Sequence, residues 1–242
     1  MSPVLSLEKI SKRFGAVVVA NGIDLALADG EALGVIGPNG AGKTTLFGIA
    51  AGTVAPDAGR VLFAGEEVTR HPPERRCRMG LARSFQIPQP FGGMTAFENV
   101  VVAAAFGSGR SERDVYKDCA DVLAQCGLMD KANRPAGTLT LLDRKRLELA
   151  RALATRPRVL MLDEVAGGLT EHECADLVAL IRQVRAAGVS IIWIEHVVHA
   201  LVAAVDRLAV LHAGVLIAEG DPQAVIRSPA VREIYMGIPA DA

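Results

Sequence analysis

The residues that most clearly predict chemistry form one glycine-rich run with the spacing G-x-x-x-x-G-K-[ST]. The run comprises Gly37, Pro38, Asn39, Gly40, Ala41, Gly42, Lys43 and Thr44. Its glycines allow the backbone to curl, so that successive N–H groups point at the oxygens of a phosphate. Lys43 can reach the β- and γ-phosphates of a nucleotide, and the Thr44 hydroxyl can ligate Mg²⁺. The pattern predicts a phosphate-binding loop, with an ordinary glycine-rich turn before a helix as the alternative.

The segments on either side of this loop have the composition that the motif needs. An apolar, strand-like run precedes it at 32–36, and a run that suits a helix follows it from Thr45 to Ala51. A helix beginning there offers free N–H groups and the positive end of its dipole to the same anion. Strand, loop and helix in this order support the phosphate-binding interpretation.

Polar residues follow two further apolar runs, at the positions where buried parallel strands end. Asp163 and Glu164 follow 159–162, and His196 follows Ser190–Ile194 by one residue. Open α/β sheets hold their sites at the carboxyl ends of the strands. Asp163 can hold Mg²⁺ through water, and Glu164 can orient and deprotonate an attacking water. His196 can donate to a γ-phosphate, with a purely structural histidine as the alternative.

Two more candidate residues lie near the ends of predicted elements. Phe14 is placed in a predicted turn at 12–15, where it is either a core residue or a platform for a nucleotide base. Gln86 ends a short predicted strand that begins at Leu81. The loop after Gln86 is rich in proline and glycine, which marks a boundary in the chain.

Helical periodicity begins at Thr95, which forms a predicted capping box with Glu98. A second amphipathic helix is predicted from Ser111 to Cys126, and we therefore predict a mostly helical insert at 88–138. The other predicted elements are strands at 4–7, 23–27 and 60–63, helices at 144–153 and 170–187, a hairpin of 207–212 with 215–219, and short helices at 222–227 and 229–235.

Composition limits the classes of protein that fit. The 242 residues suffice for one sizeable α/β domain, and a net charge of -1 gives no sign of a nucleic-acid partner. No apolar run reaches the ~18 residues of a membrane span, and the N-terminus lacks the apolar stretch of a signal peptide. The four cysteines lack the close pairs of a zinc site, so they are interpreted as reduced thiols of a cytoplasmic protein.

The order of these features resembles the ATP-binding subunit of ABC transporters over nearly the whole chain. The resemblance implies a single α/β domain at 1–242, with a P-loop NTPase core around a mainly parallel sheet, an antiparallel β subdomain and a helical subdomain at 88–138. It implies ATP and Mg²⁺ as the ligands. It assigns residues 37–45, including Thr45, to the Walker A motif and Phe14 to stacking on adenine.

The same resemblance assigns roles in hydrolysis. It implies that Asp163 is the Walker B metal residue, Glu164 the catalytic base and His196 the switch histidine. Gln86 takes the place of the Q-loop glutamine, which also contacts the metal. Residues 165–170 occupy the place of the D-loop.

Four short segments are similar to the branched-chain, or hydrophobic, amino-acid importer branch of this family. They are Arg83-Ser84-Phe85-Gln86, residues 164–169, Ile194-Glu195-His196 and Ile234-Tyr235-Met236-Gly237. The branch implies a cytoplasmic subunit on the inner face of the membrane, bound to permease subunits and served indirectly by a solute-binding protein. The alternatives are the ATPase of a lipid or lipopolysaccharide exporter, a soluble non-transport ABC ATPase, and a regulatory nucleotide sensor.

In the family, two subunits close head to tail on two ATP molecules, and the signature of one completes the Walker site of the other. Residues 139–143 take the place of that LSGGQ signature, with Leu142 where glycine belongs and Asp143 where glutamine belongs. The bulk of Leu142 and the negative charge of Asp143 predict that the composite site built from this signature is the weaker of the two. This inequality favours a heterodimer, with a homodimer as the alternative. The alternative is that Asp143 caps a helix starting at Arg144, with its charge offset by residues 144–146.

Overall fold

The computed structural model describes residues 3–236, and for residues 235 and 236 it describes the backbone only. Gly237 of the C-terminal motif and the outermost parts of the predicted domain, 1–2 and 238–242, lie outside the described residues.

A six-stranded sheet forms the centre of the fold, because three of its strands consist entirely of buried residues. The strands from edge to edge are β10 (Val215–Gly220), β9 (Arg207–His212), β3 (Ala32–Ile36), β8 (Ser190–Ile194), β7 (Val159–Asp163) and β6 (Leu81–Arg83). All neighbours pair in parallel except β10, which is antiparallel to β9. The carboxyl ends of five strands therefore meet at one edge of the sheet.

A second, antiparallel sheet lies over one face of the central sheet. Its order is β2 (Val17–Leu27), β1 (Leu5–Phe14), β4 (Ala58–Phe63) and β5 (Glu66–Glu67). Helix α1 (Lys43–Ala51) shares a buried apolar cluster with both sheets, through residues such as Leu46, Phe47 and Ile49. This packing fixes the helix that follows the glycine-rich loop.

Helices cover the other face of the central sheet. They are α3 (Ala96–Ser108), α4 (Glu112–Gln125), α5 (Leu141–Ala154) and α6 (Glu171–Ala186), which share a second cluster with Leu160, Leu162 and Trp193 of the sheet. Thr95 caps α3 in the predicted box with Glu98. Helices α3 and α4 lie within 88–138, for which a separate helical subdomain stays a prediction.

Four shorter helices complete the described chain: α2 (Pro73–Met79), α7 (Val198–Val202), α8 (Pro222–Arg227) and α9 (Pro229–Met236). Among the helices of residues 3–236, none combines the length and the apolar character that crossing a membrane requires.

The predicted α/β class is confirmed, with a mainly parallel sheet beside an antiparallel one, but several strand boundaries were wrong. The strands predicted at 4–7 and 23–27 are the longer β1 and β2, which meet at one tight turn. Lys12 to Phe14 are not a turn, because β1 extends to Phe14, whose partner is Val17, and only Gly15 and Ala16 form the turn. The predicted strand 81–86 ends instead at Arg83, where its pairing with β7 stops. Gln86 therefore lies on the loop beyond the strand, free to approach other strand ends.

The start of α5 was also predicted wrongly. The helix begins at Leu141 rather than Arg144, because the Thr140 hydroxyl accepts a hydrogen bond from the Asp143 N–H at 3.2 Å. Thr140 is therefore the cap of α5, and Asp143 lies in its first turn.

Candidate active site

The glycine-rich loop passes so close to neighbouring backbone that two of its positions have no room for a side chain. A Cβ on Gly42 would collide with the carbonyl oxygen of Val19, and Gly42 also has φ +104°. A Cβ on Gly37 would collide with the carbonyl oxygen of Leu211. Glycine is required at both positions, so the loop is held tightly between β2 and β9.

Lys43 begins α1 and is 6% exposed. Its Nζ donates to the carbonyl oxygens of Gly37, at 2.6 Å, and Pro38, at 3.1 Å. Burial lowers the pKa of Lys43, and the nearby carboxylates of Glu164 and Asp163 oppose that shift. A buried ammonium beside the amino end of a helix favours an anion at this place.

A cavity of about 200 Å³ opens on this loop. Its lining consists of Val19, Asn39, Gly40, Ala41, Gly42, Lys43, Thr44, Thr45 and Glu164. The structure thus places Glu164 of β7's carboxyl end against the loop, as a site for a nucleotide and an attacking water needs.

Glu164 brings the three predicted catalytic side chains together. The Nε2 atom of His196 lies 2.7 Å from one carboxylate oxygen of Glu164, and the Gln86 amide donates to the other. Glu164 has φ +48°, a left-handed conformation that is uncommon for residues other than glycine. Such strain concentrates at functional sites, and here it turns the side chain off the end of the strand.

Asp163 contacts a residue that the sequence did not assign to the site. The guanidinium of Arg83 lies 2.6 Å from a carboxylate oxygen of Asp163, and both side chains are largely buried. Arg83 also lies over the rings of Phe47, at 6.0 Å, and Phe85, at 5.3 Å. The position of Arg83 could have predicted this contact, because Arg83 ends the strand next to the one that ends in Asp163.

The three residues predicted to serve the metal line one cavity of about 500 Å³. Thr44, Gln86 and Asp163 all contribute to it, and all can present oxygen atoms. Within residues 3–236, no group of three or more His, Cys, Asp and Glu side chains forms a metal site of its own. This donor set fits Mg²⁺, which binds through one or two protein groups together with phosphates and waters.

Phe14 is placed at the end of β1, and half of its surface is exposed. The Nζ of Lys12 lies 5.3 Å from the centre of its ring. Val19, rather than Phe14, lines the loop cavity from this sheet. The exposed ring excludes the core alternative for Phe14 and leaves it available to a ligand.

Asp143 is buried and paired, and it does not cap α5 as predicted. Its carboxylate accepts hydrogen bonds from the Lys131 ammonium, at 2.8 and 2.9 Å, and from the Thr140 hydroxyl, at 2.8 Å. Burial acts to raise the pKa of Asp143, but these two partners outweigh burial and lower it. Lys131 is therefore the direct partner of this charge, and Arg146, one of the predicted residues 144–146, acts in the same direction on the pKa of Asp143. Leu142, beside it, is half-buried.

Comparisons with known proteins agree with this geometry. A family model described as ABC transporter matches residues 20–167, and one described as Branched-chain amino acid ATP-binding cassette transporter matches residues 215–241. The high-affinity branched-chain amino acid transport ATP-binding protein BraF of Pseudomonas aeruginosa is 37% identical over 97% of this chain and 98% of its own length. LivG of Escherichia coli, which bears the same description, is 35% identical with the same coverage. A crystal structure of a nucleotide-free ATP-binding cassette from an ABC transporter has a TM-score of 0.89 at 29% identity, covering 98% of this chain and all of that one.

Proposed function

We propose that this chain energises an importer of branched-chain or other hydrophobic amino acids. The chain belongs to the ABC transporter family as an ATP-binding cassette, and it is an ATPase. The observation that carries the catalytic part is the meeting of Gln86, Glu164 and His196 beside the Lys43 loop. The names of the branched-chain relatives support import over lipid export and over a non-transport role.

In the proposed binding mode, the backbone N–H groups of residues 37–45 and the end of α1 hold the phosphates of ATP. Lys43 exchanges its two carbonyl acceptors for β- and γ-phosphate oxygens. Phe14 stacks on the adenine with its exposed ring. The close packing of Gly37 and Gly42 keeps this loop rigid, so little entropy is lost on binding.

Hydrolysis then depends on the carboxylate at the end of β7. Glu164 accepts a proton from the attacking water, while His196 and Gln86 hold Glu164 in place and contact the γ-phosphate side of the site. Thr44, Gln86 and Asp163 would hold Mg²⁺, which neutralises charge on the phosphates when bound. Both arrangements lie at the carboxyl edge of the parallel sheet.

We propose that two cassettes close on two ATP molecules, with this chain in a heterodimer. A solved cassette with 20% identity and a TM-score of 0.80 is described as a dimer bound to ADP and Pi. The apolar side chains of Phe85, Ile87 and Phe91 are exposed around the Gln86 loop, which suits contact with permease subunits. That contact would place the chain on the inner face of the membrane, with a solute-binding protein engaged only through the permease.

The test is hydrolysis and uptake by a Glu164→Gln variant. Gln keeps the shape of the side chain and removes the base, so we expect ATP binding to persist while single-turnover hydrolysis is lost. In cells that lack the chain, the variant should fail to restore leucine, isoleucine and valine uptake, whereas the unmodified chain restores it. Unchanged hydrolysis would contradict the role of Glu164, and uptake that does not depend on the chain would contradict the proposed substrate.

A further inference from the structure

We propose that Glu195 is a positioning residue that holds Glu164 and His196 in register for hydrolysis, an inference that rests on the proposed function. Glu195 is 1% exposed. One of its carboxylate oxygens accepts from the Ala166 N–H at 2.9 Å, and the other accepts from the N–H groups of His196, at 3.0 Å, and Val197, at 3.4 Å. Its side chain therefore joins the segments that carry the two catalytic groups.

The bonds of Glu195 lie where the pairing of the two strands ends. Asp163 is paired with Ile194 in the parallel ladder of β7 and β8, and the Glu164 N–H donates to the Ile194 carbonyl at 2.8 Å. Beyond that bond, the segments that follow β7 and β8 separate into loops. The Glu195 carboxylate is the next connection between them, so it sets how the Glu164 turn and His196 face each other.

A buried cation on a third element interacts electrostatically with this carboxylate. Lys145 of α5 is 5% exposed, and burial lowers its pKa while the carboxylates of Glu195 and Glu164 oppose that shift. Three backbone donors and a nearby ammonium offset the cost of burying the charge of Glu195.

The test compares Glu195→Gln with the unmodified chain. Gln replaces one acceptor oxygen with an amide that faces backbone donors, and it removes the charge that acts on Lys145. We expect single-turnover hydrolysis at saturating MgATP to fall by about 10- to 100-fold, the factor that loss of a charged hydrogen bond produces. MgATP affinity should stay unchanged, because the Lys43 loop makes no bond to Glu195. Amide hydrogen exchange at Ala166 and His196 should quicken.

Glu31→Gln is the matched control. The carboxylate of Glu31 accepts from the Ala28 N–H at 2.7 Å and pairs with Arg207, but has no contact with Glu164. Glu31→Gln should leave single-turnover hydrolysis and the exchange of Ala166 unchanged. If both Gln variants slow hydrolysis equally, the effect is general destabilisation and the proposal is overturned.

A second variant distinguishes loss of the Ala166 contact from misfolding. Glu195→Asp keeps the carboxylate charge but is one methylene shorter, so it should lose the hydrogen bond from the Ala166 N–H. We expect exchange of the Ala166 amide to quicken and hydrolysis to slow, with the fold retained. Unimpaired hydrolysis once Ala166 has lost its protection would overturn the proposal. Glu164→Gln is measured in parallel. If Glu164→Gln hydrolyses ATP normally, the proposed function fails. If Glu164→Gln is inactive while both Glu195 variants hydrolyse ATP normally, only the positioning role of Glu195 fails.

Discussion

Lys43 shows how one buried charge can be prepared for a ligand. Its ammonium is removed from water and held by two carbonyl oxygens, which are weaker partners than a phosphate anion. Substitution by alanine removes the positive charge at the first residue of α1, where the phosphates would bind. We expect Lys43→Ala to raise the MgATP dissociation constant by about 10- to 100-fold, measured by calorimetry.

Lys117→Ala is the control for that experiment, since Lys117 is an exposed residue of α4 far along the chain from the loop. It should bind MgATP as the unmodified chain does. Equal affinities of all three proteins would show that Lys43 does not contact the nucleotide.

Arg83 and Asp163 allow a prediction about stability. Both are largely buried, so removing the cation leaves a buried carboxylate without its partner. We expect Arg83→Gln to lower the free energy of unfolding by about 3 kcal/mol without nucleotide and metal. Mg²⁺ with ADP should stabilise the variant more than it stabilises the unmodified chain, because a bound cation then replaces the lost charge.

Thermal unfolding with and without MgADP measures this difference. Arg78→Gln, an exposed arginine at the end of α2, serves as the control. An equal stabilisation of Arg83→Gln and Arg78→Gln by MgADP would contradict competition between Arg83 and a metal at Asp163.

At the scale of single residues, the sequence predicted side chains that the structure brings to one site, but not what holds them there. Gln86, Glu164 and His196 were identified by type and order along the chain, and the structure brings them together. Arg83 and Glu195 were not given roles. Their contacts depend on which residues face each other across parallel strands, and that register is not visible in a single chain segment.

At the scale of elements, α1 is anchored at its far end by Arg76. This side chain is 2% exposed and donates to the carbonyls of Ile49 and Ala50, both at 2.7 Å, in the last turn of α1. It also donates to the carbonyls of Thr69 and His71. Arg76 therefore ties the phosphate-loop helix to the segment before α2.

Arg76→Met should lower the free energy of unfolding by about 3 kcal/mol, because several buried carbonyl groups lose a charged donor. Chemical denaturation measures the change. Arg75→Met is the matched control, since Arg75 is the exposed neighbour on the same helix, and its guanidinium lies 3.9 Å from the Glu66 carboxylate at the surface. A similar loss in both variants would refute the anchoring role.

Element types were predicted better than element boundaries. The apolar and charged periodicity of α5 is clear from Arg144 onward, but the cap that starts the helix is Thr140, four residues before Arg144. The strand predicted to reach Gln86 stops where its partner β7 stops offering hydrogen bonds. Helix α2 was not predicted, because its stability depends on Arg76 reaching carbonyls of another helix.

At the scale of the molecule, two apolar clusters on opposite faces of one parallel sheet account for the fold. Consecutive apolar residues in β3, β7 and β8 required burial on both faces, which is why the α/β class followed from the sequence. The strand order did not follow, because it depends on crossovers that join distant segments. That order is what places the Lys43 loop beside Glu164.

The structure also changes the argument for an unequal pair of subunits. Repulsion by Asp143 no longer contributes, since Lys131 neutralises a carboxylate that is turned inward. Two features remain. Leu142 puts a branched side chain where backbone approaches phosphate in the family, and the Thr140 hydroxyl is engaged by Asp143. We expect both features to weaken the signature that this chain would offer to a partner's nucleotide.

Leu142→Gly alone should therefore raise the steady-state ATPase of the isolated chain, by about tenfold for each 1.4 kcal/mol of restored phosphate contact. Asp143→Gln should not help, because it breaks the pair with Lys131 and destabilises α5. Leu141→Gly is the matched control, since it adds the same helix-weakening glycine at the neighbouring, exposed position. If the unmodified chain already matches Leu142→Gly, the signature is competent as it stands, and a second, different cassette is not needed to complete the working pair.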